Sequence, residues 1–266
     1  MLKSLKADFY RFFKTKSLYI ILGAILVSCA IMIWSFYITS TAMTTEMGAE
    51  LGTSIVELLP HTVDEYFDSF FQGNFLVLFT VIFTVIFCNA EYKHGYIKNI
   101  ASMVSRRSGL VLSKLVCIFA AIIMMHIITV LCIIVGCMGF MGISDVENIR
   151  GIVVEVIIGV LMNMSLASVM VMLFVSVKKA TMPMIVGIIY VLMGSSLFSL
   201  ADLIVNKLFK ITDFSVAKYT NMGNMLYYVN SCASSGTIAR AGVVAAVILI
   251  LSSVVSCILI NKKDIR

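Results

Sequence analysis

Residues 75–99 read FLVLFTVIFTVIFCNAEYKHGYIKN, and the fold is decided by how this stretch is divided. Its first thirteen residues carry no charge and only two threonines, while the last nine carry a glutamate, two lysines, a histidine, a glycine and two tyrosines. An apolar run of that kind cannot face water. The polar patch after it, extended through SRRSGLVLSK at 105–114, is followed by another long apolar run. The stretch is therefore a membrane span that ends, a loop, and a second span that begins.

The rest of the chain repeats the pattern. Of its 266 residues 61% are hydrophobic and 13% are charged, with a mean hydropathy of +1.04, against about 25% charged residues in soluble domains. An α-helical span needs about 20 mostly apolar residues, and six runs qualify, near 18–40, 72–90, 115–143, 151–177, 180–201 and 241–260. The runs are continuous rather than alternating, which predicts helices and not a barrel. The fold class expected is all-α integral membrane, with residues 1–266 forming one membrane domain. The basic stretch before the first run resembles the start of a signal peptide, but the run is too long and no small-x-small site closes it, so it is expected to stay as a span.

Charge sets the orientation, because Lys and Arg stay preferentially on the cytoplasmic side. Fifteen of the 20 basic residues lie in residues 1–17, in the loop 91–114, at Lys178 and Lys179, and at Lys262, Lys263 and Arg266. The alternate segments hold Arg150, Lys207, Lys210, Lys218 and Arg240 together with most acids, including Asp64, Glu65 and Asp68 in the first outer loop. Both termini are expected in the cytoplasm of a cell (plasma) membrane. The net charge of +6 then reflects topology and contact with anionic lipid, so no nucleic-acid partner is required.

Within residues 1–17, Leu2, Leu5, Phe9, Phe12 and Phe13 share one face and Lys3, Lys6, Arg11 and Lys14 the remainder, the pattern of an interfacial amphipathic helix lying flat on the inner leaflet. Segment 202–240 contains LIVNKLF and NMLYYV, which predict short outer helices before the last span, anchored by Tyr219, Tyr227 and Tyr228. Pro183 suits the first turn of span five. Seven cysteines scattered through spans make no disulfide framework, and Cys232 alone falls in an outer segment.

Chemistry is sparse. No GxxxxGK[ST] phosphate cradle is present, His61, His94 and His126 are too dispersed for a metal cluster, and no HExxH or paired-carboxylate motif occurs. GSSLFS at 194–199 lacks a GxSxG frame and is read as a helix contact. No catalytic or metal residue is assigned. His126, about 17 Å into span three at 1.5 Å per residue, is either a functional ionisable group or a plain interhelical hydrogen-bonder. Glu155, early in span four, is expected to reach the outer headgroups; it and His126 are the candidates for a substrate path. The 18 methionines and the absence of charge clusters in the spans suggest an amphipathic or lipid-like cargo.

The loop is the most informative polar segment. Glu91 leaves one span, Gly95 turns, Tyr96, Ile97 and Lys98 are presented, and Arg106, Arg107 and Lys114 lead back into the membrane. A loop obeying charge topology alone requires the basic residues but not the glutamate, the glycine and the aromatics.

Here the sequence resembles the membrane permeases of type-2 ABC exporters, including those of lantibiotic self-protection and toxin-peptide export. EYKHGYIKNI at 91–100, then Ser105–Arg106, then Lys114, is similar to the family's E-x-x-x-G-[TY]-[IL]-K-x-[IL], S-R and Lys; NKKDI at 261–265 resembles its terminal K-[KR]-D-[IL]. The amphipathic N-terminus and the six spans fit as well, so the likeness covers the whole chain, departing at Tyr96, where Thr is commoner. The resemblance implies a non-enzymatic, bacterial permease subunit that pairs with a second permease, identical or related. It also implies that cytoplasmic ABC ATPase subunits carry ATP and Mg, and that 91–105 forms a coupling helix. Glu91, Lys93, Gly95, Tyr96, Ile97, Lys98, Arg106 and Arg107 would then make the ATPase-coupling interface. Two other classes stay open on the residues alone: an intramembrane enzyme built on His126, Glu155 and the span-five serines, and a membrane anchor or sensor that transports nothing.

Overall fold

A computed structural model describes residues 2–43, 60, 62–93, 108–143, 145–209 and 215–262. Among these residues the secondary structure is helical: α1 Leu2–Lys14, α2 Lys16–Met43, α3 Val63–Gln72, α4 Phe75–Lys93, α5 Ser108–Val135 with a π-helical end Gly136–Met141, α6 Ile149–Val177, α7 Thr181–Phe209, a 3-10 turn Val216–Tyr219, α8 Asn221–Tyr227 and α9 Ser235–Lys262. Helices α2, α5, α6, α7 and α9 are each long and apolar enough to cross a membrane, and α3 with α4, bent by 42°, passes the same test when the pair is counted as one span. The chain is an all-α integral membrane protein.

With α3 and α4 counted as one span the crossings number six, which puts α1 and the end of α9 at one face of the bundle, called here the terminal face; the opposite one is the distal face. The middle of the bundle is α6, whose apolar window is 61% buried against 22% for α7 and for α9. It packs along α9 and against α4 and α5. The larger core runs from Phe12 and Ile25 through Phe70, Phe83 and Ile118 to Phe174, and a smaller one gathers Val81, Met162, Met170, Val191 and Met222. Hydrocarbon is as apolar as leucine, so side-chain fit and internal polar contacts, rather than flight from water, select this arrangement. One such contact joins the Ser168 and Ser252 hydroxyls between α6 and α9.

Spans two, three and five have boundaries that differ from those read in the sequence, each for a local reason. Span two is longer than 72–90, because Thr62 opens α3: its hydroxyl accepts the Glu65 N–H while the Glu65 carboxylate accepts the Thr62 N–H, a reciprocal cap. Asp64 and Asp68 consequently sit on a packed helix and not in a free outer loop. The bend falls at Gly73–Asn74, where Asn74 has φ 60°, a left-handed conformation asparagine tolerates. Span three begins at Ser108 rather than 115, so Lys114 lies in its second turn with 5% exposure. At its other end the π-helical segment closes on Gly142, φ 66°, where glycine carries no Cβ penalty.

Span five extends through LIVNKLF to Phe209 as a single helix. Nothing between 195 and 209 breaks it, and Asp202 is satisfied without leaving the helix: its carboxylate accepts the Val216 N–H at 2.6 Å and the Ser215 hydroxyl at 3.2 Å. NMLYYV does form the short helix α8, capped by Thr220 on Gly223 N–H. Tyr219 and Tyr227 are exposed, whereas Tyr228 lies beneath the Arg240 guanidinium, 4.9 Å from its ring centroid.

The N-terminal helix forms over the expected residues but with a different buried line. Asp8 and Phe12 are turned inward, at 4% and 0% exposure, while Phe13 is 52% exposed. Phe12 meets Phe83 and Phe87 of α4 edge-on, both at 6.2 Å. Asp8 accepts a hydrogen bond from Ser113 of α5 and lies 3.8 Å from Arg11. Helix α1 is therefore docked on the bundle by one stripe, since its aromatic residues find a protein groove at the ends of α4 and α5.

Candidate functional site

At the distal face two carboxylates of α3 tie three chain segments together. Val63, Tyr66, Phe67, Phe70 and Phe71 bury one side of that helix, and Asp64 and Asp68, one turn apart, fall beside this stripe. Asp64 accepts the Glu147 N–H at 2.7 Å and the Asn148 N–H at 3.2 Å. Asp68 accepts the Ser231 N–H at 2.8 Å and the Ser231 hydroxyl at 3.1 Å. Asn148 closes the set: its amide donates to Ser231 O at 2.9 Å, and its oxygen caps α6 through Gly151 N–H at 2.9 Å. The acids are thus satisfied by main-chain N–H groups and a hydroxyl, and no salt bridge reaches either among the described residues.

Beneath this clip lies Glu155, 2% exposed, with no hydrogen-bond partner for either carboxylate oxygen. It borders a cavity of about 10 Å³ with Phe71, Gly159, Met225 and Val229. Glu155 does not reach the headgroups. With Asn148 capping α6, residue 155 falls on the line of Gly159, Met162 and Asn163 that faces the interior.

One turn deeper, Gly159 brings α3, α5 and α6 together: a Cβ added there would sit 3.4 Å from the Phe71 ring and 3.6 Å from His126 Nε2. His126 is buried, its Nδ1 2.8 Å from Ile122 O, and Asn163 Nδ2 lies 3.4 Å from its Nε2 and 3.1 Å from Gly159 O. An Nδ1–H donating to the carbonyl and an Nε2 accepting from Asn163 satisfy both ring nitrogens of a neutral imidazole. His126 and Glu155 thus share the wall made by Phe71 and Gly159, though no hydrogen bond joins them among the described residues.

The span-five serines take no part in this. Ser195, Ser196 and Ser199 are exposed and Gly194 makes the contact, against Met222; no base approaches their hydroxyls among the described residues.

At the terminal face, Glu91 and Lys93 belong to the last turn of α4. Gly95, Tyr96, Ile97, Lys98, Arg106 and Arg107 lie outside the described residues, as does most of 91–105. What the structure gives is the frame on either side: the end of α4 and the start of α5, both held by α1.

A groove of about 720 Å³ opens between α2 and α5, lined by Ile33, Trp34, Tyr37, Leu131, Gly136 and Phe140 among others. Its surface is almost wholly apolar, and the π-helical end of α5 forms one side. Sequence reasoning missed this groove, the clip and Asn163. For the clip a signal was present, since T-V-D-E at 62–65 followed by apolar residues at 66, 67, 70 and 71 is the pattern of a capped amphipathic helix.

Among curated proteins, no sequence matches the chain. A family does match it, the one described as ABC-2 family transporter protein, over residues 4–194, which takes in α1 to α6 and the first half of α7. Six apolar crossings, a docked amphipathic N-terminal helix and this match over most of the length agree, and the chain belongs to the ABC-2 transporter family.

Proposed function

We propose that the chain is the membrane permease subunit of an ATP-driven exporter, forming the path for an amphipathic or hydrophobic substrate, a toxin or antimicrobial peptide being the class that fits best. The reading rests on one observation above others: a member of a transporter family whose sequence holds no phosphate-cradling motif must draw ATP energy from another subunit. ATP and its Mg belong to that separate cytoplasmic ATPase. A second permease, identical or related, completes the path, with the terminal face toward the cytoplasm of a bacterial cell and lipid around the spans.

In this reading residues 91–105 are the coupling helix. Closure of the ATPase dimer pushes it, and the push passes to α4 and α5, whose neighbouring ends are bound together by α1 through Phe12 and Asp8. The spans then tilt between two packed states. The groove between α2 and α5, with Trp34, Tyr37 and Phe140 at its surface, supports an apolar cargo face taken from the bilayer. His126 and Glu155 are the polar groups of the path.

The test is reconstitution with the native ATPase. Tyr96→Ala with Ile97→Ala should remove about 2 kcal/mol of anchoring at each position, with loss of substrate-stimulated ATPase activity and of peptide transport in a complex that still assembles. A double variant that assembles, hydrolyses and transports like the parent removes the loop from the mechanism, and failure of the chain to co-purify with any ATPase removes the function. Orientation is checked separately: Cys232, exposed on the distal side, should react with an impermeant thiol reagent on intact cells, and a cysteine placed at His94 should not.

A further inference from the structure

The segment between α7 and α9 does not stay at the distal face. It leaves from Ser215, held by Asp202, and returns at Ser231, held by Asp68. Between these points Met222 packs on Gly194, at the middle of the 29-residue helix α7, and Ala217, Met222 and Met225 share the smaller core with Val81, Met170 and Val191. The turn into α8 therefore hangs at about half the depth of the bundle. Beneath it is a pocket of about 240 Å³, lined by Met170 and Leu173 of α6, Val186 and Tyr190 of α7, Ile248 of α9 and, as its roof, Asn221. Leu173 and Val186 stand near the terminal-face ends of their helices, Val177 and Thr181. The pocket shares no lining residue with the groove between α2 and α5, and it meets the bilayer beside Val186, which is 44% exposed.

Asn221 is the polar group of this pocket that the protein leaves unanswered. It is 4% exposed, and its Oδ1 has no hydrogen-bond partner among the described residues. Asn224, one turn on, donates to Lys218 O and Thr220 O, and the Thr220 hydroxyl accepts the Gly223 N–H. A buried amide group without a partner is costly, and a ligand that brings a polar group to it removes that cost. A cavity of about 150 Å³ holds a benzene ring, so this one takes a single aromatic or branched side chain. A glycerophospholipid matches the apolar walls but not the amide, because its carbonyls lie at the edge of the hydrocarbon, about 15 Å from the mid-depth at which Asn221 stands. A peptide matches both. Each of its residues couples a side chain to a donor and an acceptor, and an asparagine amide can turn to present either its NH₂ or its oxygen. We infer that this pocket is a side-chain binding site for a peptide in the bilayer, the apolar side chain seated against Met170, Val186 and Tyr190 and the adjoining peptide group hydrogen-bonded to Asn221. The site rests on the reading of the cargo as a peptide and gives that peptide a place and a polar contact.

Photo-crosslinking of the full chain in nanodiscs of phosphatidylcholine and phosphatidylglycerol tests it. The probe is a synthetic amphipathic leucine–lysine peptide with a diazirine on one leucine, compared with a phosphatidylcholine that carries the diazirine at mid-chain. In the wild type the peptide label should map to 166–173 and 186–190 and should be displaced by excess unlabelled peptide. Val186→Trp, at a position partly open to lipid, should fill the pocket and abolish this label. Asn221→Leu keeps the size and removes the amide, and should raise the half-saturating peptide concentration about fivefold, the worth of one hydrogen bond. The wild-type map needs no variant and Val186→Trp leaves the roof untouched, so neither result depends on whether Asn221→Leu folds. Peptide label confined to other helices, pocket label from the lipid that the peptide does not displace, or unchanged half-saturation in a folded Asn221→Leu would each overturn the site. Transport in the reconstituted complex separates this outcome from failure of the cargo reading: peptide transported with the pocket unlabelled removes the site alone, whereas peptide neither bound nor transported removes both.

Discussion

Asp64 and Asp8 are equally buried, each 4% exposed, yet the two halves of the molecule satisfy them by different chemistry. At the distal face Asp64 receives main-chain N–H groups of Glu147 and Asn148, more than eighty residues away in sequence. At the terminal face Asp8 receives the Ser113 hydroxyl and has Arg11 one turn along its own helix. The distal acid joins α3 to the loop before α6, beside a main-chain bond from Val63 N–H to Asp145 O. The terminal acid supplements a helix already fixed by Phe12. A buried carboxylate is expensive wherever it is, so each is retained where something else has to be held: the loop before α6 in one case, the seating of α1 in the other. That contrast gives an order of fragility that can be measured.

The largest effect should come from the terminal half, where apolar packing dominates. Phe12 is wholly buried and meets Phe83 and Phe87; Phe12→Ala should cost about 3 kcal/mol, in the range found for large-to-small core changes. Thermal unfolding in nanodiscs should show α1 released first, seen as new protease sensitivity within 2–14, while the distal clip persists. If Phe12→Ala leaves both stability and protection unchanged, α1 is a free interfacial helix after all. Next comes Asp64→Ala, which leaves two main-chain N–H groups without their acceptor and should cost about 2 kcal/mol. Hydrogen exchange at Glu147 and Asn148 should accelerate without change at α1. Equal acceleration at both faces would dissolve the distinction between the halves.

How much of this could be read from the chain follows from what kind of signal each part carries. The existence of the apolar helices and of the short helix α8 rests on continuous apolar runs and caps and was legible, whereas several helix ends lie six to nine residues from the limits of those runs. The bend at Gly73–Asn74, and with it the placement of Asp64 and Asp68, was obscured because VDEYFDSFFQ holds three acids and reads as loop by hydropathy; its cap and its 3–4 spacing of aromatics pointed the other way. Glu155 was misplaced for a different reason. Snorkelling depends on which face of α6 the residue occupies, and a helix apolar all round has no sequence signal for its facing. The same limit hid Asp8, whose charge masked its position on the buried stripe of α1. In the coupling segment the legible features are residue types and spacing, and their roles rest on the family resemblance.

The smallest predicted effect concerns the contact that joins the two halves along the centre of the bundle. Ser168 of α6 and Ser252 of α9 are both buried, their hydroxyls hydrogen-bonded to one another and each also to a carbonyl of its own helix, Ser165 O at 2.6 Å and Ile248 O at 2.6 Å. A serine with such a local acceptor loses little when its cross-helix partner is removed, because the hydroxyl proton turns back to the backbone. In lipid, moreover, the alternative states of the chain also find partners, which keeps interhelical hydrogen bonds to an average of about 0.6 kcal/mol. A double-mutant cycle of Ser168→Ala and Ser252→Ala should therefore give a coupling energy of about 0.6 kcal/mol or less by thermal or denaturant unfolding. A value several times larger would mean that the α6–α9 seam is held by its hydroxyls rather than by the close approach their small size permits. In that case bulkier but hydrogen-bonding Thr at both positions should be tolerated better than Ala, whereas a seam set by close approach favours Ala over Thr.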